Sequence, residues 1–153
     1  MLIQLVVAFI ATISIALLFD VPKIEFFYCG LTGGIGWVVY LLVFEGIDSK
    51  VLATLAAALT VSFIARIFAV RRRLPVTIFL ISGIFSLVPG AGIYYTTYFL
   101  LDNKFAEAFN KGVETISIAI SISFGIMIVF FIPQKIFLLL NNMRKKDERK
   151  KWY

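Results

Sequence analysis

The residues with the most chemical potential stand in one short run, Ser86-Leu87-Val88-Pro89-Gly90-Ala91-Gly92. The run lies at the centre of residues 74–101, a stretch without a charged side chain between Arg73 and Asp102. Length and polarity read as a membrane span. Pro89 has no N–H and its ring clashes one turn back, so the helical bond to the Phe85 carbonyl is lost. Gly90 and Gly92 lower the cost of irregular backbone. The expectation is two half-helices, roughly 75–86 and 92–101, meeting near the bilayer midplane. Irregular backbone at that depth persists only where protein or a water-filled cavity surrounds it. A half-helix that starts there turns N–H groups and a positive dipole end toward an anion. The candidate substrate-binding residues are Ser86, Val88, Pro89, Gly90 and Gly92, with Tyr94 or Tyr95 adding a hydroxyl. The alternative is a kink that serves packing alone, since Pro and Gly are common in transmembrane helices.

The elements around that run follow from composition. The chain has 153 residues and is 61% hydrophobic, against about 45–50% for a soluble domain. Its uncharged blocks are long and do not alternate, which points to helices rather than an outer-membrane barrel. The sequence predicts an all-α polytopic membrane protein with five spans, about 1–19, 26–44, 51–70, 74–101 and 115–132, the fourth broken at its centre. Together they make one bundle over 1–143, followed by a basic tail over 144–153. The first span lacks the basic start and small-residue cleavage site of a secretory signal, so it reads as retained. Asp20–Glu25 and Glu45–Lys50 read as turns, and Asp102–Lys111 as an amphipathic loop.

Small residues mark the packing seams. Gly30 and Gly34 form a GxxxG pair in the second span. Ser117, Ser121 and Gly125 share one ridge of the fifth, if that span is helical. Residues 116–123 alternate with period two, the pattern of a strand. A lone strand in hydrocarbon would leave its backbone unpaired, so the helix is the better reading. Pro133 ends or kinks that helix, and 134–142 could continue along the interface. Arg66 is the one charge inside the third span; it either snorkels to the headgroups or attracts anions at the mouth of a path.

Lys and Arg placement sets the orientation. If the Arg71–Arg73 turn is cytoplasmic, five spans put twelve basic residues inside and three, Lys50, Lys104 and Lys111, outside. The N-terminus is then outside and the C-terminus cytoplasmic. A re-entrant hairpin over 74–101 would put the basic tail opposite the arginine triplet, so a broken helix that crosses is favoured. The basic segments lie within reach of the membrane surface, where they meet anionic lipid; nucleic acid is not expected as a partner.

Several chemistries are excluded or disfavoured. The chain has no histidine and a single cysteine, Cys29, so an imidazole relay and an intrachain disulfide are both out. No carboxylate lies deep in a span, and no nucleotide loop or catalytic triad is present. Neither an enzyme, a metal site nor a cofactor is expected. Five spans without an internal repeat are few for a complete carrier, which suggests half of an assembly.

The string Pro75-Val76-Thr77-Ile78-Phe79 followed by Gly83-Ile84-Phe85-Ser86-Leu87-Val88-Pro89-Gly90-Ala91-Gly92-Ile93-Tyr94 resembles the signature of the threonine/serine exporter family. The likeness is to the short membrane subunit of its split, two-gene form. Gly33-Gly34-Ile35-Gly36-Trp37 and Leu52-Ala53-Thr54 match the same pattern, and the likeness covers roughly 5–140. The resemblance implies export of small carboxylate-bearing metabolites across the inner or plasma membrane: threonine and serine, or a dicarboxylate such as succinate. It also implies a larger membrane subunit as partner. The rival expectations are a non-transporting scaffold for that subunit and a homo-oligomeric carrier built from this chain alone.

Overall fold

The computed structural model describes residues 2–137. Among these residues six α-helices follow one another, α1 (Leu2–Leu18), α2 (Phe26–Ile47), α3 (Lys50–Arg72), α4 (Val76–Phe85), α5 (Gly90–Leu101) and α6 (Phe105–Phe130), and residues 134–137 are again helical after Pro133. A single 3-10 turn, Lys23–Glu25, precedes α2. No strand occurs among the described residues, and the period-two segment 116–123 is helical within α6. The basic tail 144–153, and the interfacial continuation beyond 137, lie outside the described residues.

The connections are tight because each has a residue suited to it. Asp48 takes the left-handed conformation at φ 54° and closes α2, and Ser49 then caps α3 by accepting from the Leu52 N–H. Arg73 ends α3 in the same left-handed way at φ 57°. Two expected loops are shorter than read. The Glu45–Lys50 turn reduces to Asp48 and Ser49, since α2 runs through Glu45 and Gly46 to Ile47. The Asp102–Lys111 loop reduces to Asp102–Lys104, because α6 begins at Phe105. Residues 105–114 are amphipathic at helical spacing: Ala108 is buried while Phe105, Glu107 and Phe109 face outward.

Antiparallel packing follows from the short turns. α3 is the central helix and packs against α2, α4 and α6; α1 covers α2 and α4. α3 is lined with alanine on its buried faces, Ala53, Ala57, Ala58, Ala65 and Ala69, so its neighbours come close. Against α6 the closest approach is at Gly125. A Cβ there would stand 2.7 Å from that of Ala58 and 3.2 Å from the Leu55 carbonyl oxygen, so only glycine lets α6 sit directly on the α3 backbone. Ser121 is buried on the same seam and Ser117 half-buried beside it. On α2, a Cβ at Gly30 would press on the Phe9 ring at 2.7 Å, and one at Gly34 would meet Phe9 at an ordinary 3.7 Å.

Three helices, α2 with its preceding turn, α3 and α6, are each long and apolar enough to cross a membrane. The pair α4 and α5 makes a fourth, bent by 47° at its break. α1 is apolar but shorter, with 17 residues. At 1.5 Å per residue the two halves add about 15 and 18 Å, so the break falls near the middle of a hydrocarbon core of about 30 Å.

Candidate functional site

The interruption is built residue by residue. Ser86 closes α4 and its Oγ donates back to the Gly83 carbonyl at 2.8 Å. The Val88 N–H reaches the Phe85 carbonyl at 3.3 Å, taking the acceptor that Pro89 cannot use. Pro89 itself has φ −78° and ψ 58°, and the Gly90 N–H donates to the Val88 carbonyl at 2.8 Å. That is an inverse γ-turn centred on the proline. The first helical bond of α5 runs from the Ile93 N–H to the Pro89 carbonyl at 3.1 Å. Pro89 offers no side-chain cap. The Ala91 and Gly92 N–H groups therefore stand at the start of α5 without a helical acceptor, at the positive end of its dipole.

The bend swings α5 onto α6 and away from the α2–α3 pair, and a cavity of about 260 Å³ opens beneath the break. Its wall is the backbone of residues 86–91 on one side, with Trp37 and Tyr40 of α2, Thr54 of α3 and Ile118 of α6 on the others. Trp37 and Tyr40 stack at 5.2 Å between ring centroids, and Tyr40 stacks in turn on Phe44 at 5.9 Å. Thr54 is buried and donates its hydroxyl to the Lys50 carbonyl, which leaves its oxygen free to accept. A second cavity of about 290 Å³ lies between α1 and α2 and shares Trp37 and Ser86 with the first.

The residues expected at the site divide into three groups. Ser86, Val88, Pro89 and Gly90 line the cavity, and Gly90 faces open space. Gly92 is a packing residue: it lies under α6, where a Cβ would collide with the Thr115 hydroxyl. Tyr94, Tyr95 and Arg66 lie elsewhere. The two tyrosines are exposed on the far face of α5. Arg66 is twelve residues along α3 from Thr54, roughly 18 Å at helical rise. Its Nη1 donates to the carbonyls of Val129 and Ile132 at 2.6 and 2.7 Å, and its guanidinium lies 4.3 Å from the Phe137 ring centroid.

Among the described residues, the ion pairs that join one helix to another lie at the two ends of the bundle. At one end Glu25, 2% exposed, takes a two-pronged contact from Arg72, Nε to Oε2 at 3.0 Å and Nη2 to Oε1 at 2.6 Å. At the other, Glu114 bridges Lys50 at 2.6 Å and Lys111 at 2.7 Å. The cavity between them has no charged lining residue. What it offers an anion is therefore neutral donors: the backbone N–H groups at the head of α5, with the Trp37 indole and the Tyr40 phenol on the same wall.

A family model described as threonine/serine exporter, ThrE, matches residues 4–132. The chain belongs to the threonine/serine exporter family. It is a multi-pass membrane protein of transporter type. Neither a curated protein nor a solved structure matches it. The family match takes in the break, every residue that lines its cavity, and the Arg66 contact at the end of α6. Trp37, Tyr40, Thr54 and Ile118, with Leu87 and Ala91 in the break itself, are lining residues that the sequence did not place at the site. The available signal was spacing: Gly36, Trp37 and Tyr40 fall on adjoining parts of α2, and Gly36 is where α3 comes closest, at Val61.

Proposed function

We propose that this chain is one membrane subunit of an exporter for small carboxylate-bearing metabolites, and that the cavity beneath the break holds the carboxylate. The observation that carries the reading is the head of α5, where the unspent N–H of Ala91 lies on the wall of that cavity and that of Gly92 stands next to it. A carboxylate there accepts from both and meets a helix dipole, without a buried lysine or arginine to hold it too tightly for release. The stacked rings of Trp37 and Tyr40 form the apolar wall against which a short carbon chain lies. Threonine and serine are substrates on this reading, and so is a dicarboxylate such as succinate.

In this reading α1 also crosses and is the first of five spans, although its 17 residues are at the short limit for crossing. The end that carries Arg66 and Arg71–Arg73 is then cytoplasmic and the N-terminus is outside. The other subunit is larger and membrane-embedded, and completes the path. The test is flux in proteoliposomes of labelled threonine and labelled succinate, with this chain, with the companion subunit, and with both. Flux that needs both chains supports the proposal and ranks the substrates. Full flux from the companion alone makes this chain a scaffold. Flux from this chain alone makes it a homo-oligomeric carrier.

A further inference from the structure

The far face of α5 carries a polar pattern that lipid does not satisfy. α5 has no buried residue. It packs on α6 through Gly92 and Thr96, which meet Thr115 and Gly112. The opposite face presents Tyr94, Tyr95 and Tyr98, 64%, 48% and 49% exposed. Tyr94 and Tyr98 stack with an interplanar angle of 17° and form a flat aromatic row. None of the three phenol hydroxyls has a hydrogen-bond partner among the described residues. The threonines of the same helix are satisfied, Thr96 on Gly92 and Thr97 on Ile93.

Depth decides what covers this row. Tyr94 and Tyr98 follow Gly90 by four and eight residues, about 6 and 12 Å along the helix from the break. Both Cα positions lie inside a hydrocarbon half-thickness of about 15 Å. Side chains on a helix lean toward its N-terminus. The N-terminus of α5 is the break, so this lean favours the midplane over the headgroups, most of all for Tyr94, one turn from the break. These are not interfacial belt tyrosines, whose hydroxyls reach water. The break is itself open on this side, with Val88, Gly90 and Ala91 exposed. Irregular backbone and free hydroxyls at this depth call for protein.

A second copy is a poor cover. A twofold axis along the membrane normal keeps both breaks at one depth, so the two α5 N-termini would stand side by side, like end beside like end, and tyrosine hydroxyl would face tyrosine hydroxyl. We infer that the Tyr94–Tyr98 face of α5, together with the open side of the break, is the docking surface for a transmembrane helix of a different polypeptide that carries hydrogen-bond acceptors at mid-depth. This deepens the proposed function and rests on it for the existence of the companion subunit. The cavity beneath the break is then roofed by that helix and is complete only in the assembly.

The test uses the tagged full-length chain in cells that also express its companion subunit. A benzophenone amino acid is placed at 94 or 98, and at Ile10 and Phe124 as exposed controls on α1 and α6. After irradiation, adducts are sized and mapped by mass spectrometry. The expected result is a hetero-adduct from 94 and 98, absent from the controls, whose cross-linked peptide is a transmembrane helix of the companion with a polar side chain at mid-depth. The double variant Tyr94→Phe, Tyr98→Phe keeps the rings, and the expected result is that companion copurification falls about five-fold per hydroxyl removed. An adduct at twice the mass of this chain, equal adducts from all four positions, or no protein adduct at 94 and 98 overturns the inference. Flux is measured on the same preparations. Companion adducts at 94 and 98 without carboxylate flux sink the transport reading and leave the interface standing. Flux that needs both chains, with no adduct there, does the reverse.

Discussion

Arg66 Nη1 donates to the Val129 carbonyl at 2.6 Å, and the residue whose N–H would ordinarily take that carbonyl, four positions on, is Pro133. The proline ends α6 and strips an acceptor of its regular donor. The Ile132 N–H takes up the Val129 carbonyl at 3.1 Å in a tighter turn, and the arginine adds a second donor from the neighbouring helix and takes the Ile132 carbonyl as well, at 2.7 Å. A cation at a helix C-terminus is also favoured by the dipole. The charge inside the third span is thus a cross-helix cap that ties α3 to the end of α6.

Arg66→Ala is expected to lower stability by about 2 kcal/mol, the scale of lost hydrogen bonds to a charged donor. Arg66→Lys is expected to recover little, because an ammonium lacks the planar fork. Pro133→Ala returns an N–H to Val129 and is expected to soften the loss in the double variant. Thermal midpoints in detergent at one scan rate check the cycle. Full stability with lost flux in Arg66→Lys would return Arg66 to the role of an anion attractor.

Ser62 is fully buried in α3, and its Oγ is the one buried side-chain oxygen without a partner among the described residues. Most other hydroxyls on these helices bond the carbonyl four residues back, as Thr54, Ser82 and Thr115 do. An orphaned hydroxyl in a closed seam costs about 1–3 kcal/mol. Ser62→Ala is therefore expected to raise the thermal midpoint, with flux unchanged. A fall in the midpoint would mean that the hydroxyl has a partner in the membrane.

Glu25 and Arg72 join the start of α2 to the end of α3, with the guanidinium also 5.0 Å from the Tyr28 ring. Removing one partner leaves the buried carboxylate uncompensated, which is worse than removing both. Arg72→Met is expected to reduce the yield of folded protein, and Glu25→Gln with Arg72→Met to restore much of it. Size-exclusion profiles of the three proteins decide this. Equal profiles for the single and double variants would show that the pair adds nothing to assembly.

The helices were largely legible because each has a long uncharged stretch bounded by charge or by the Pro89 break. The break was legible because Pro89 and two glycines leave the helix few alternatives, and its halves fall within a few residues of the expected ends. The site was legible only along the chain. Gly92 and the tyrosines were near the break in sequence, but a helix turns 100° per residue, and three-dimensional packing decided which face met α6. Thr54 and Tyr40 come to the cavity from other helices; the spacing from Gly36 points to Tyr40, but no local pattern marks Thr54. Arg66 and Pro133 were each singled out, yet their connection spans two helices and is visible only in the fold.

Gly90 and Gly92 separate the cavity from the packing that supports it. Around a Cβ at Gly90 there is nothing within 4 Å, and its φ is not in the left-handed region. Gly90→Leu is therefore expected to fold normally, since leucine also suits a helix better than glycine. Its side chain enters the space where a substrate carboxylate would lie, so flux is expected to fall at least about ten-fold. At Gly92 a side chain meets Thr115, and over-packing of that kind costs about 1–3 kcal/mol. Gly92→Leu is expected to loosen α5 from α6 and lower the thermal midpoint, and Thr115→Ala to relieve it in part. Paired flux and melting measurements check both arms. A Gly90→Leu protein with full flux and an unchanged melt would remove the break from the substrate path and leave it a matter of packing.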